Sequence, residues 1–149
     1  MSEADDATAL PWEVLLPRAG AAAARCHRSL LADHGLSPTA LALLDQLDRR
    51  DGLSHRELAA LLGRTPATLT PVVDALEEAG SIGRARDRRD RRVVRLALTA
   101  AGRERLRRAT AAVAAELPAL LPVPPPQHAG PVRDYLLAVL AALDDRAGP

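Results

Sequence analysis

Three helix-start signals, each followed by a glycine stop, lie between positions 37 and 80, and they leave the middle of this chain few ways to fold. Ser37-Pro38 sets a capping hydroxyl ahead of a proline at the first helical position, and Leu41, Leu44 and Leu47 then recur at helical spacing until Asp51-Gly52. Ser54-His55-Arg56-Glu57 has the form of a capping box before Leu58, Leu61 and Leu62, and Gly63 closes that segment after scarcely two turns. Thr65-Pro66 repeats the cap-plus-proline signal, and Leu69, Val72, Val73 and Leu76 form one narrow apolar stripe ending at Gly80. Two short helices joined by Gly63-Arg64 predict a helix-turn-helix.

Past Gly80 the apolar period drops to two. Ile82–Arg86 and Val93–Leu98 read as two short strands, with the Arg/Asp-rich tract between them as a hairpin tip. Thr99 caps a further helix through Arg103, Leu106, Val113 and Leu117. Five prolines between Pro118 and Pro126 predict a stiff connector, and a last helix is expected over Gly130–Asp145 with Val132, Leu136, Val139, Leu140 and Leu143 on one face. Upstream, residues 1–9 read as a frayed tail, and Pro11 or Pro17 can open a first helix that continues through Ala19–Asp33 and stops at Gly35. Tyr135 and Leu137 lie off the stripe of the last helix, so its apolar surface exceeds what one small domain can cover. A second copy of the chain is the simplest partner.

With 149 residues, 48% of them apolar and 26% charged, the chain has the balance of one globular domain. No apolar run approaches the roughly 18 residues of a membrane span. The acidic start, Met1 to Asp6, lacks the basic-then-apolar order of a secretory signal, so a cytoplasmic protein is expected. The single cysteine, Cys26, excludes an internal disulfide framework and a multi-cysteine zinc site. His27 and His34 are seven apart, on one expected helix face, but have no third ligand beside them, so no metal is expected. No nucleophile–base pair and no phosphate-binding glycine loop is visible, which argues against an enzyme and against a cofactor.

Net charge is only +1, yet seven arginines stand against Asp87 and Asp90 between Arg84 and Arg95, a local +5 in twelve residues. All 20 basic residues are arginine, which a GC-rich coding bias explains better than selection for guanidinium chemistry at each site. The clustering is independent of that bias.

The element order is that of a winged helix-turn-helix framed by terminal helices: mainly α, with a small β-hairpin wing. Four blocks carry a closer likeness. Leu53-Ser54-His55-Arg56-Glu57-Leu58-Ala59, Thr68-Leu69-Thr70 with Leu76-Glu77-Glu78-Ala79-Gly80, Asp87-Arg88-Arg89-Asp90-Arg91-Arg92, and Leu98-Thr99-Ala100-Ala101-Gly102 resemble, in order, the MarR family of transcriptional regulators over about residues 36–108. The resemblance implies a homodimer whose N- and C-terminal dimerisation helices interdigitate while two winged domains grip a pseudopalindromic DNA duplex. Residues 1–36 would then be tail and dimerisation helix, 37–99 the DNA-binding region, and 100–149 the C-terminal dimerisation helices with their connector, in one structural domain overall.

The residues agree with double-stranded DNA as a partner. With the Leu69 stripe facing the core, Ala67, Pro71 and Asp74 point outward and Thr68 and Thr70 flank them, toward a major groove. That face offers hydroxyls and methyls but no side chain for a bidentate base contact, so direct readout is expected to be modest. Ser54, Arg64 and Thr65 lie at the helix entries, where Arg64 suits a phosphate better than a base. Pro71 removes an interior helix hydrogen bond and predicts a slight kink, although Thr70-Pro71 resembles a pair in the family's peroxide-responsive branch. In the hairpin, Asp87 and Asp90 are spaced to tie the turn to its own arginines, leaving Arg89, Arg91 and Arg92 for a narrow minor groove and Arg86 for flanking phosphates. The resemblance places Asp87, Arg89 and Arg92 on the family's wing motif. Arg103, Arg105, Arg107 and Arg108 read as ordinary surface helix, with Glu104 and Arg108 paired at i, i+4. Peroxide-sensing members carry a reactive cysteine near the start of the first helix among tyrosines, whereas Cys26 falls near its end and Tyr135 is the only tyrosine. Control by a small-molecule effector is the commoner family theme. With Trp12 and Tyr135 as the only aromatic residues, its site would need aliphatic walls, with Arg18 or His34 as an anchor. The reading is a sequence-specific repressor; its alternative is a winged-helix protein-interaction or architectural module without an operator.

Overall fold

The computed structural model describes residues 10–87 and 90–145. Its elements are α1 (Trp12–Ala32), α2 (Pro38–Arg49), β1 (Leu53–Ser54), α3 (His55–Leu61), α4 (Pro66–Glu78), β2 (Ile82–Arg86), β3 (Val94–Leu98), α5 (Ala100–Leu120) and α6 (Pro126–Asp144). Two compact units divide the chain, one up to Leu117 and one from Pro118 onward.

Local capping chemistry starts the central helices where the sequence predicts. The Ser37 hydroxyl accepts from the Ala40 amide at 3.1 Å, and the Thr65 hydroxyl accepts from the Thr68 amide at 3.3 Å. The box at α3 is complete: Ser54 Oγ accepts from the Glu57 amide at 3.3 Å while Glu57 Oε2 accepts from the Ser54 amide at 2.7 Å. Gly63, at φ 59°, reverses the chain between α3 and α4 in the left-handed region that side chains disfavour.

Inside the first unit the core is aliphatic and dominated by leucine. Leu31, Leu43, Leu44, Leu47, Leu58, Leu69 and Leu96 are fully buried, and at about 1.5–3 kcal/mol for each such side chain they supply the main force holding α2, α3, α4 and the sheet together. On α2 the buried face is Ala40, Leu43, Leu44 and Leu47, and Leu41 is only partly covered. The sheet has the order β1-β3-β2, antiparallel throughout. Ile82 pairs with Leu98 and Arg84 with Leu96 on one face, while Ser54 and Ala85 flank Arg95 on the other.

Several expectations are corrected. Leu53–Ser54 forms a third strand, which two residues are too few to announce, and β3 begins at Val94, not Val93. Pro17 lies inside α1, which Pro11 introduces. The stiff connector shrinks to residues 121–125, because α5 continues through Pro118 to Leu120 and α6 begins at Pro126, with Pro131 inside it. A proline late or early in an exposed helix costs one hydrogen bond without stopping the chain. α1 ends at Ala32, so His34 sits in the following turn and shares no helix face with His27.

The root of the wing is locked onto the start of α5. Thr99 Oγ1 lies 2.7 Å from the Gly80 carbonyl and 3.0 Å from that of Ser81, and it accepts from the Gly102 amide at 3.0 Å. A Cβ on Gly102 would lie 2.0 Å from the Ser81 carbonyl oxygen. Gly102→Ala is therefore expected to cost about 3 kcal/mol of stability, read as a fall in the midpoint of thermal unfolding. An unchanged midpoint would show that α5 does not seat on Ser81.

Candidate nucleic-acid interface

The buried face of α4 consists of Leu69, Val73 and Leu76. Arg64, Thr65, Ala67, Thr68, Thr70, Pro71 and Asp74 are all exposed on its other side and at its entry. Their hydroxyls are already engaged: Thr65 and Thr68 share a hydrogen bond of 2.8 Å, and Thr70 donates back to the Pro66 carbonyl at 3.0 Å. These groups keep acceptor lone pairs and methyls to present outward. Ser54 differs, since it is only partly exposed and its hydroxyl and amide both serve the α3 cap.

Asp74 is exposed as expected, but it is engaged within the fold. It accepts a short hydrogen bond from Arg84 Nη2, while Arg84 Nε pairs with Glu77 at 2.9 Å. The last turns of α4 are thus strapped to β2, and Arg84 is occupied within the fold. Beneath this strap lies a cavity of about 350 Å³ lined by His55, Thr70, Val73, Asp74, Arg84, Val94 and Leu96.

The wing is shaped by two aspartates. The Asp87 amide donates to the Val93 carbonyl and the Val93 amide to the Asp90 carbonyl, both at 2.9 Å, which closes the turn. Asp87 Oδ1 accepts from the Asp90 amide at 3.2 Å, and Asp90 Oδ1 accepts from the Arg92 amide at 3.0 Å. Arg88 and Arg89, and with them the wing placement expected for Arg89, lie outside the described residues. Arg95 is the residue that sequence reasoning missed. Its Nε donates to Asp87 Oδ2 at 2.8 Å and its Nη1 to Glu57 Oε2 at 2.7 Å, which spans from the wing to α3. Hydrogen bonds from Ser54 in the cap, then the Arg95 charge, hold the Glu57 carboxyl below its ordinary value of 4.5. The pair is therefore intact at neutral pH. Arg86, Arg91 and Arg92 are exposed, and among the described residues their guanidinium groups join no ion pair.

On α5, Arg105 is not ordinary surface. It donates to the His34 carbonyl at 2.9 Å, the Gly35 carbonyl at 2.8 Å and Ser81 Oγ at 3.0 Å, tying the α1–α2 turn to the wing root. Arg103 reaches Asp48 at 3.4 Å. Only Arg107 and Arg108 behave as surface residues, converging on Glu104 and pulling its carboxyl down to about 2. Among the described residues no group of three His, Cys, Asp or Glu could hold a metal, and no helix is long and apolar enough to cross a membrane.

Comparison with known proteins agrees with this geometry. Residues 36–94 match the model of the MarR family. The HTH-type transcriptional regulator TtmR of Methylorubrum extorquens is 43% identical over 79 residues, which is 53% of this chain and 40% of that protein, so the match spans less than half of the relative's length. The HTH-type transcriptional repressor Rv2887 of Mycobacterium tuberculosis is 36% identical over 115 residues, covering 77% of this chain and 81% of the repressor. Among solved structures, the transcriptional repressor CouR bound to a 23-mer DNA duplex superposes with a TM-score of 0.74 at 32% identity, over 87% of this chain and 89% of that one. CouR from Rhodococcus jostii RHA1 bound to p-coumaroyl-CoA gives 0.65 at 29% identity, over 84% and 88%. A winged helix-turn-helix with this wing, and a repressor alike over four-fifths of its own length, lead to one conclusion: the chain belongs to the MarR family of transcriptional regulators.

Proposed function

We propose that this chain is a sequence-specific DNA-binding repressor that acts as a homodimer on a pseudopalindromic operator in the cytoplasm, by binding and not by catalysis. The observation that carries this reading is the division of labour among the hairpin arginines. Arg84 and Arg95 are neutralised by carboxylates and hold the hairpin, whereas Arg86, Arg91 and Arg92 are exposed and unpaired among the described residues. Like charges held close together in one turn gain most from an external polyanion, and a duplex supplies phosphates and a narrow minor groove. In this reading Thr68, Thr70, Ala67 and Pro71 face the major groove with modest base readout, and Arg64, Thr65 and the Ser54 end of α3 meet the backbone. The CouR–DNA structure supports the same use of the fold.

We assign residues 37–99 to DNA binding and the flanking segments to dimerisation. Trp12, Val14 and Leu15 on α1 and Val132, Leu136, Leu140 and Leu143 on α6 are exposed, a quantity of apolar surface that a second copy would cover. Sedimentation at micromolar concentration is expected to give about twice 15.8 kDa; a stable monomer would remove this geometry. We further propose a small-molecule effector, supported by the ligand-bound CouR. A cleft of about 570 Å³ between α2 and α5, with Asp45, Asp48 and Arg103 beside Leu106 and Ala114, has the polar and aliphatic mixture to take an amphipathic molecule.

Salt and two substitutions test the DNA reading. Duplex affinity should fall steeply with salt, with the log–log slope losing about 0.9 for each phosphate contact removed. Arg92→Ala should weaken binding to a duplex recovered by the protein from a random-sequence pool about tenfold or more, whereas Arg108→Ala, engaged with Glu104, should change it little. Equal effects would reduce the wing to diffuse attraction. Duplex binding indifferent to both salt and Arg92 would favour a protein-interaction module.

A further inference from the structure

We infer that Glu57 is a positioning residue for DNA binding: through Arg95 its carboxylate sets how the wing stands relative to the helix-turn-helix. The inference rests on the function proposed above and adds to it a residue on α3 that need not touch DNA.

A single oxygen carries the argument. Glu57 Oε2 accepts from the Ser54 amide and from Arg95 Nη1, both at 2.7 Å, so the atom that completes the α3 cap also grips β3. From Arg95 the line continues without a gap: Nε to Asp87 Oδ2 at 2.8 Å, Asp87 Oδ1 from the Asp90 amide at 3.2 Å, and Asp90 Oδ1 from the Arg92 amide at 3.0 Å. The α3 N-terminus is thereby joined to the backbone of Arg92 by charge-assisted and amide hydrogen bonds alone. The sheet cannot do this by itself. β2 and β3 pair only as far as Arg86 opposite Val94, and β1 reaches only Ser54 opposite Arg95, so Asp87, Asp90 and Arg92 lie past the last strand partners. Beyond those partners, strand pairing alone does not set the direction of Asp87, Asp90 and Arg92 relative to α3. Arg95 stands at that root, opposite Ser54 and Ala85, with its guanidinium fork spanning the two carboxylates. Its planar geometry fixes direction as well as distance, which a lysine would not.

All members of the line are at least partly exposed, so its contribution lies in geometry more than in stability. Removing the Glu57 charge should leave the fold and loosen the wing. Glutamine is the informative substitution, since it can still close a capping box but offers Arg95 only a neutral acceptor, without the attraction of an ion pair.

Three measurements on the full-length protein test this. First, Glu57→Gln should keep its unfolding midpoint within about 2 °C of wild type while binding the pool-selected duplex about fivefold more weakly and with a shallower salt slope. Second, Arg95→Met, which retains the aliphatic stem, should reproduce that loss. Third, in an Arg92→Ala background, Glu57→Gln should weaken binding by less than about twofold, because the side chain it positions is already gone. Wild-type affinity and slope in Glu57→Gln, or an equal loss with and without Arg92, would overturn the role of Glu57 while leaving the DNA reading in place. A wild-type protein that retains no duplex even at low salt would instead overturn the proposed function, and this inference with it.

Discussion

Four parts of the molecule converge on one buried serine. Ser81 is 2% exposed, its amide donates to the Leu76 carbonyl at the end of α4, and its own carbonyl accepts from the Thr99 amide and meets Gly102 without room for a methyl. Its hydroxyl accepts from Arg105, whose other nitrogens hold the turn between α1 and α2. The reading helix, the wing root, the start of α5 and the end of α1 are therefore referenced to the same few atoms. Buried polar contacts of this kind add little net free energy when made and cost much when half made, so they select one arrangement among the many that a leucine core would tolerate. The aliphatic core supplies cohesion, and Ser81 supplies alignment.

Electrostatics follows a parallel division. In the hairpin, Arg84 and Arg95 near the root pair with Asp74, Glu77, Glu57 and Asp87, and among the described residues Arg86, Arg91 and Arg92 are exposed to solvent. A net charge near zero is compatible with a strongly cationic surface feature because the carboxylates are spent on holding that feature up. On α5, likewise, Glu104 engages Arg107 and Arg108 and Asp48 engages Arg103, so part of that positive charge is offset within the fold.

What the sequence made legible was whatever acts over three or four residues. The caps at Ser37, Ser54 and Thr65, the stop at Gly63, the alternating strands and the Thr99 start depend on neighbours within one turn, and a reader of the chain meets both partners together. Arg95 and Glu57 are 38 residues apart and Arg105 and His34 are 71 apart, so nothing local distinguishes these arginines from the exposed ones beside them. Helical periodicity gave the outward direction of Asp74 correctly but could not show that β2 returns with Arg84 to meet it. Two-residue β1 is a product of pairing with β3 and has no pattern of its own. The internal prolines misled because a helix already propagating absorbs one missing hydrogen bond, whereas composition counts every proline as punctuation.

The wing is built from guanidinium groups, and this sets the kind of signal to which it can respond. Guanidiniums stay charged across the whole physiological range, and the Glu57 carboxyl that helps anchor them is held below its normal range. The charge that the described hairpin arginines present is therefore constant and indifferent to acidity across that range. A regulator with a constant field can be switched only mechanically, by a change in the spacing or tilt at which its two copies present that field to a rigid helical lattice of phosphates. Small displacements suffice, because that lattice repeats every turn and does not stretch to follow.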